Sequence, residues 1–193
     1  MKKNKTVAVL RGGLSSELEV SNQSARYVSK ALLSLGYNII DVNVNEKFLS
    51  WAQENKNRVD IFFNALHGKW GEDGKIQGVL EFLGVPYTHS GVTASSLGMD
   101  KELSKKIFRN SGINVPSGKI LNKKYLIKKD PFERPFVIKP ISEGSSVGVH
   151  IIRQNTKIEK SLKKVNEKLL LVEEYIDGAD YTVALMNGRP LGI

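Results

Sequence analysis

A short segment rich in glycine and serine holds the residues best suited to chemistry. Lys139 and Gly144 lie between the apolar runs 136–138 and 147–152, and Gly148 lies at the start of the second run. The flanking residues are aromatic or β-branched, which predicts two strands joined by a polar loop. The glycines let successive N–H groups turn toward one anion, and the lysine adds a positive charge. The segment predicts a polyphosphate-binding loop, with an ordinary surface hairpin as the alternative.

The order of residues in this loop excludes a P-loop. A P-loop places Gly-Lys-Ser/Thr after its glycines and at the start of a helix. Here the lysine precedes the glycines, and the next predicted element is a strand. Any phosphate site must therefore be of another type.

Two more polar loops follow apolar strands in the first half of the chain. Residues 11–17 follow the run 6–10, and residues 67–74 follow the run 59–66. Ligand sites favour loops at the carboxyl ends of strands in open α/β sheets. Both loops are therefore candidate parts of a binding site.

Strands alternate with helices up to residue 98, which predicts a doubly wound parallel sheet. The predicted strands are 6–10, 38–44, 59–66 and 85–87, and the predicted helices are 22–35, 48–55 and 75–83. In the first helix Ser21 is the expected cap, and Val28, Ala31, Leu32 and Leu35 form the expected apolar stripe.

The second half mixes strands and helices in a less regular order. After a helix that ends near Gly112, the predicted strands are 117–121, 136–138, 147–152, 169–176 and 180–186, with a return strand from Arg189 after the Asn187-Gly188 turn. Thr156 is the expected cap of a helix over 157–165.

Composition excludes several classes of protein. The 193 residues include no cysteine, so disulfides, cysteine–zinc sites and thiol nucleophiles are excluded, and a cytosolic location fits. The apolar run 6–10 is too short for a signal sequence or a membrane span. A net charge of +9 favours anionic partners, so nucleic acid has to be considered. The lysines are scattered without stacking aromatics, however, so a solvated basic surface is favoured over nucleic-acid binding.

The motifs together follow the order and spacing of one family. They are Gly12-Gly13 with Ser16-Glu17 and 19–21, 65–68 with 71–74, Gln77-Gly78, Tyr87-Thr88, 90–92, 99–101, Lys139-Pro140 and 143–148. From Thr6 onward the chain resembles the D-alanine–D-alanine ligase family of the ATP-grasp superfamily.

This resemblance implies an α/β chain built from three units. An amino-terminal α/β substrate-binding domain is expected over residues 1–98, an α+β ATP-grasp central subdomain over 99–182, and the start of a carboxyl-terminal ATP-grasp subdomain over 183–193. The rest of that last subdomain is expected to be missing, so the chain is expected to be a fragment.

The resemblance places Glu17 and Ser145 at the catalytic centre. Glu17 is implied to hold the amino group of the first alanine, with a charge at a helix start as the alternative role. His67 is implied to approach the carboxylate of that alanine, with a structural histidine as the alternative. Ser145 is implied to bond Glu17 and the substrate, and Ser146 to reach a phosphate or substrate oxygen.

Two lysines are implied to bind the phosphates of ATP. They are Lys101 and Lys139, because a compact ammonium neutralises the charge that develops in phosphoryl transfer. Glu143 and Ser146, in the loop that follows Lys139, belong to the same expected nucleotide site.

The adenosine part is expected to lie against the strand that ends near residue 176. The carboxylate of Glu173 is expected to accept from the exocyclic amine of adenine, while backbone groups of Glu174 and Ile176 pair with the ring edge. Tyr175 is expected to flank the ring. Asp180 occupies the place where the family usually has a glutamate on the ribose hydroxyls, so ribose contact there is left open.

The implied activity is the ATP-dependent joining of two D-alanines through an acyl phosphate, for peptidoglycan precursor synthesis in the cytoplasm. Magnesium (or manganese) is implied as well. No acidic residue follows Asp180, so the metal ligands are expected beyond Ile193 and this chain alone is expected to make no dipeptide. A homodimer is compatible with the family for the full-length enzyme.

Two other functions stay open at this point. One is an ATP-grasp ligase whose second substrate is D-lactate or D-serine. The other is a nucleotide-binding module without catalysis.

Overall fold

The computed structural model describes residues 5–163 and 165–192. The predicted units also include residues 1–4, Lys164 and Ile193, which lie outside the described residues. The first half of the chain forms a parallel sheet with helices, and the second half forms an antiparallel sheet followed by a hairpin. This architecture agrees with the α/β and ATP-grasp expectation.

The first sheet has three parallel strands in the order β2-β1-β3. These are β1 (Thr6–Gly12), β2 (Asn38–Val44) and β3 (Ile61–Asn64). The helices that connect and follow them are α1 (Leu18–Ser34), α2 (Phe48–Asn55) and α3 (Lys75–Leu83), with a 3₁₀ turn at Lys56–Arg58. The predicted bounds of β2, α2 and α3 are confirmed.

Both faces of the central strand are covered. Ala8 and Leu10 belong to one apolar cluster, with Leu80 of α3, whereas Val9 belongs to another, with Ala25 of α1. Successive strand residues point to opposite faces, so this division requires helices on both sides of the sheet. The doubly wound prediction follows from the same continuous apolar pattern.

The first helix begins earlier than predicted and buries a different face. It starts at Leu18, and Ser21 lies inside it, where the Ser21 hydroxyl accepts a hydrogen bond of 3.0 Å from the Gly12 N–H. Ser21 and Ala25 are buried, whereas Ala31 and Leu35 are exposed. The predicted cap and part of the predicted stripe are therefore wrong, because contact with the end of β1 sets the rotation of the helix.

The segment after α3 holds two more differences. The strand predicted at 85–87 is reduced to a single parallel bridge between Tyr87 and Phe62. Helix α4 (Val92–Met99), which was not predicted, precedes α5 (Lys101–Asn110). The Asp100 carboxylate caps α5 by accepting from the N–H groups of its second and third residues.

The second sheet has four antiparallel strands in the order β4-β7-β5-β6. They are β4 (Gly118–Asn122), β5 (Phe136–Pro140), β6 (His150–Ile152) and β7 (Leu169–Glu174). Short helices α6 (Lys123–Leu126) and α7 (Ile158–Leu162) pack on it. Phe136, Ile138 and Leu170 are fully buried in its core.

Three details of this unit differ from the prediction. Strand β5 extends two residues beyond the predicted range 136–138 and ends at Pro140, which pairs with Leu170. The strand β6 starts at His150 instead of residue 147, because residues 141–149 remain in the polar loop. Thr156 does not cap α7. Its hydroxyl accepts from the Arg153 N–H at 3.0 Å.

A hairpin ends the described part of the chain. Strands β8 (Ala184–Met186) and β9 (Arg189–Gly192) are antiparallel. Between them Asn187 and Gly188 have φ angles of 50° and 74°, as a type I′ turn requires. The turn prediction is confirmed, although β8 starts at residue 184 instead of 180. Within the described residues, no helix is both long and apolar enough to cross a membrane.

Candidate functional site

Three loops meet around the carboxylate of Glu17, directly before α1. Glu17 is only 4% exposed. The Ser145 hydroxyl, from the loop 141–149, donates to Glu17 Oε2. A Cβ added at Gly68 would lie 2.6 Å from Glu17 Oε1, and one added at Gly144 would lie 2.9 Å from it. Loops from both halves of the chain therefore converge on one acidic side chain.

One oxygen of this buried carboxylate has no partner. Oε1 of Glu17 makes no hydrogen bond with any described residue. A buried carboxylate oxygen without a donor costs free energy, so such an atom marks a place where a ligand can bind. Gly68 and Gly144 lie close to this oxygen, where a side chain on either residue would collide with it. A positively charged donor such as an ammonium group would complement the charge of this carboxylate.

The predicted histidine is clamped between two side chains that the sequence analysis did not identify. His67 Nε2 lies 2.9 Å from the Ser24 hydroxyl, and Nδ1 lies 3.7 Å from Glu72 Oε1. Ser15 joins the histidine loop to the glutamate: its hydroxyl donates to the His67 carbonyl at 2.7 Å and accepts from the Glu17 N–H at 3.1 Å. These contacts fix the histidine near the acidic side chain.

The glycine loop carries two serines in an unusual backbone conformation. Ser145 and Ser146 have φ angles of 44° and 60°. Left-handed conformations are costly for residues with a Cβ, and they concentrate at ligand sites. In this conformation Ser145 reaches Glu17, which it contacts across the two halves of the chain.

If Glu17 holds the amino group of D-alanine, as the resemblance implies, Gly144→Ala is expected to weaken D-alanine binding roughly two- to tenfold, because the new methyl group would push the Glu17 carboxylate off its rotamer. Gly98→Ala is the matched control, since a Cβ at Gly98 meets no atom within 4 Å. The dissociation constant for D-alanine, measured by calorimetry, checks the prediction. Equal affinities in the two variants would contradict it.

The two predicted phosphate lysines lie near one another. The Lys101 ammonium donates to the Glu143 carbonyl, and the Lys101 N–H donates to the Ile141 carbonyl at 3.1 Å. Burial, together with the positive charge of Lys139, lowers the pKa of Lys101, although nearby carboxylates oppose this. Two cations in proximity form a site that favours an anion.

A cleft of about 410 Å³ lies between the two halves of the chain beside Lys101. Its lining includes Glu72, Lys101, Glu143 and Gly144. The residues 143–145 thus connect the lysine side of the site with Glu17. The loop therefore contacts Lys101 and Glu17 through two residues that are only two positions apart, Glu143 and Ser145.

Some polar groups of the residues predicted to hold adenine already have partners within the protein. Both carboxylate oxygens of Glu173 form ion pairs, one with Lys105 and one with Lys139, and the residue is 3% exposed. The Glu174 N–H already donates to the Ser117 carbonyl at 3.0 Å. That N–H is therefore engaged within the protein, and the prediction that backbone groups of Glu174 pair with the ring edge stays a prediction. The role of Glu173 stays a prediction.

The remaining predicted nucleotide residues lie beyond the end of β7. The Tyr175 ring has the Arg153 guanidinium 5.5 Å from its centroid, and its hydroxyl is 3.4 Å from an oxygen of Asp177. Ile176 and Asp180 are exposed. The structure does not bring Asp180 to the loops around Glu17.

The chain is similar to known proteins along most of its length. A model of the D-ala D-ala ligase N-terminus matches residues 43–90, and a model of the D-ala D-ala ligase C-terminus matches residues 107–191. The chain is 45% identical to the D-alanine–D-alanine ligase of Chelativorans sp. over 195 residues, which is 99% of this chain and 63% of that protein. It is 42% identical to that of Acidiphilium cryptum over 98% of this chain and 64% of the relative.

Solved structures show the same likeness. The crystal structure of D-alanine–D-alanine ligase from Bacillus anthracis has a TM-score of 0.75 and 37% identity, over 90% of this chain and 58% of that one. The structure of that ligase complexed with ATP has a TM-score of 0.72 and 35% identity, over 90% and 60%. The chain thus spans a little over 60% of the length of the curated relatives it matches. It belongs to the D-alanine–D-alanine ligase family of the ATP-grasp superfamily.

Proposed function

We propose that the protein joins two D-alanines with ATP, through an acyl phosphate, to supply a dipeptide for peptidoglycan precursors in the cytoplasm. The observation that carries the proposal is the buried, unpartnered oxygen of Glu17, in the same site as the cations Lys101 and Lys139. An amino-acid ammonium and a polyphosphate are the two ligands that these opposite charges favour.

In the first step the carboxylate of one D-alanine attacks the γ-phosphorus of ATP. Glu17 holds the ammonium of this alanine, Ser145 orients Glu17, and His67 lies toward the substrate carboxylate. The bond between the γ-phosphorus and the bridging oxygen breaks, and ADP leaves with that electron pair. Lys101 and Lys139 stabilise the charge that develops on the phosphate oxygens.

In the second step the amine of the other D-alanine attacks the carbonyl carbon of the acyl phosphate. The C–O bond to the phosphate breaks, inorganic phosphate leaves, and the amine loses a proton. The loop 141–149 covers the reacting atoms and excludes water that would hydrolyse the acyl phosphate. Ser146 and Glu143 line the phosphate side of this loop.

The nucleotide is proposed to extend from the lysine pair to the end of β7. Glu173, Glu174, Tyr175 and Ile176 then lie along adenine, and Asp180 lies toward ribose. Magnesium is part of the proposal through the family, but no three metal-binding side chains group together in residues 5–163 and 165–192. No described residue is therefore assigned to it, and no step above depends on one.

The proposal is tested by supplying the full-length protein with ATP, magnesium and D-alanine. We expect equal amounts of ADP, phosphate and D-alanyl-D-alanine, quantified by coupled assay and mass spectrometry. D-lactate and D-serine in place of half of the D-alanine test the choice of second substrate. ATP binding without phosphate release under any of these conditions would contradict the proposed reaction and favour a binding module.

We expect the loop 141–149 to be protected from proteases when both substrates bind. Its serines and glycines form few buried apolar contacts, so local opening requires little free energy. Cleavage between Ile141 and Ser146 should slow in the presence of ATP and D-alanine together, as followed by mass spectrometry of the fragments. Cleavage at the exposed hairpin β8–β9 is the internal control, and an unchanged ratio of the two rates would contradict the covering role.

A further inference from the structure

A buried lysine that the proposed mechanism does not use lies on α5, one turn after Lys101. The side chain of Lys105 is 11% exposed, and its ammonium pairs with Glu173 Oε1. The other oxygen of Glu173 pairs with Lys139, whose side chain is 25% exposed. One buried carboxylate thus joins the proposed phosphate lysine to a deeper lysine.

The surrounding strand makes room for this ion pair. A Cβ at Gly118 of β4 would lie 2.8 Å from Glu173 Cγ, 2.9 Å from Lys105 Nζ and 2.9 Å from the Val172 carbonyl oxygen. Only a residue without a side chain leaves the space that the pair occupies. This close fit holds Lys105 at Glu173, whereas Lys139, being more exposed, has more freedom to move.

The buried charge of Glu173 gives a reason for having two lysines, Lys105 and Lys139, beside it. A carboxylate buried without a counter-ion is strongly unfavourable. If Lys139 turns toward a nucleotide phosphate, Glu173 loses one of its two partners. Lys105 remains and keeps the carboxylate compensated, so the movement of Lys139 leaves no unpaired buried charge.

We infer that Lys105 is a positioning residue for nucleotide binding: it is the permanent counter-ion of Glu173 and thereby frees Lys139 for the phosphates. The inference rests on the proposed function, since it assumes that Lys139 binds ATP. Lys105 also ties α5 to β7 through its ion pair with Glu173, one turn from Lys101. It therefore supports both proposed phosphate lysines without touching the nucleotide.

The test compares ATP with adenosine, which lacks phosphates and does not require Lys139 to leave Glu173. For Lys105→Met we expect the affinity for ATP to fall about tenfold and the affinity for adenosine to stay nearly unchanged. Lys106→Met is the matched control, because the side chain of that neighbour on α5 is 59% exposed and, among the residues that the structure describes, forms an ion pair only with Glu102 at the surface. It should bind both ligands like the unsubstituted protein. Calorimetry gives both dissociation constants.

A double variant distinguishes the proposed role of Lys105 from a general loss of folding in Lys105→Met. Glu173→Gln removes the charge that needs a counter-ion, so adding Lys105→Met to it should change ATP affinity little. An equal loss for ATP and adenosine, or an undiminished loss in the Glu173→Gln background, would overturn the inference. Normal ATP binding by Lys105→Met would overturn it while leaving the proposed function intact. Failure of the unsubstituted protein to bind ATP would overturn both.

Discussion

Replacing Glu17 by Gln is expected to weaken the binding of the first D-alanine about ten- to a hundredfold, because the substrate ammonium loses a charged partner worth about 1.5–3 kcal/mol. ATP should bind nearly as before, since no phosphate contact is proposed for this side chain. The substitution keeps the size of the side chain and its bond to Ser145. The loss therefore reports charge and not shape.

The control for this prediction is Glu19→Gln. Glu19 lies in the first turn of the same helix and is exposed, so it tests any general effect of charge at the helix start. The Michaelis constants for D-alanine and ATP, measured separately, check both variants. Parallel losses for the two substrates in Glu17→Gln would count against a role in holding the ammonium.

Thermal stability separates a functional Glu17 from a structural one. Because one of its buried oxygens has no partner, removing the charge also removes part of a desolvation cost. We therefore expect Glu17→Gln to melt at the same temperature as the unsubstituted protein or higher. A clear decrease in Tm would show that Glu17 mainly supports the fold.

The sequence predicted best those features that depend on local pattern. The bounds of β2, α2 and α3 follow from apolar periodicity and from Gly84, which ends α3 with a φ angle of 70°. The Asn187-Gly188 turn follows from the φ angles that its two residues allow. The local sequence is enough to determine each of these features, without contacts to residues far along the chain.

The errors come from contacts between distant residues. The rotation of α1 depends on the bond from Gly12 to Ser21, and no local pattern carries that information. Helix α4 was missed because its serines and glycine have weak helix propensity, and packing decided the outcome. Lys105 was missed since its partner Glu173 is 68 residues away. Its only local signal was its position one turn after Lys101.

The recognised motifs lie close together in the structure because of long-range contacts as well. Glu17, His67 and Ser145 each lie in a loop that follows a strand, and folding brings those loops together. The sequence analysis proposed roles for these three residues but not for the side chains that contact them, such as Ser15, Ser24 and Glu72. Those supporting contacts are visible only in three dimensions.

For Lys139→Ala we expect the reverse of the Glu17 result, with ATP affinity reduced about ten- to a hundredfold and D-alanine affinity nearly unchanged. The ammonium removed by this change is the more exposed partner of Glu173. Glu173 keeps Lys105 as a counter-ion, so the fold should survive. Calorimetry with ATP and with D-alanine measures both affinities.

Lys128→Ala is the control, because Lys128 is an exposed lysine on the same unit. A general effect of losing one positive charge would weaken ATP binding equally in both variants, and it would diminish with salt because long-range attraction is screened. A direct contact of Lys139 with phosphate should instead give a loss specific to Lys139→Ala that persists at moderate salt. It should also be absent with adenosine, which offers no phosphate. An unaltered ATP affinity in Lys139→Ala would show that Lys139 does not contact the phosphates. The phosphate site would then depend on Lys101.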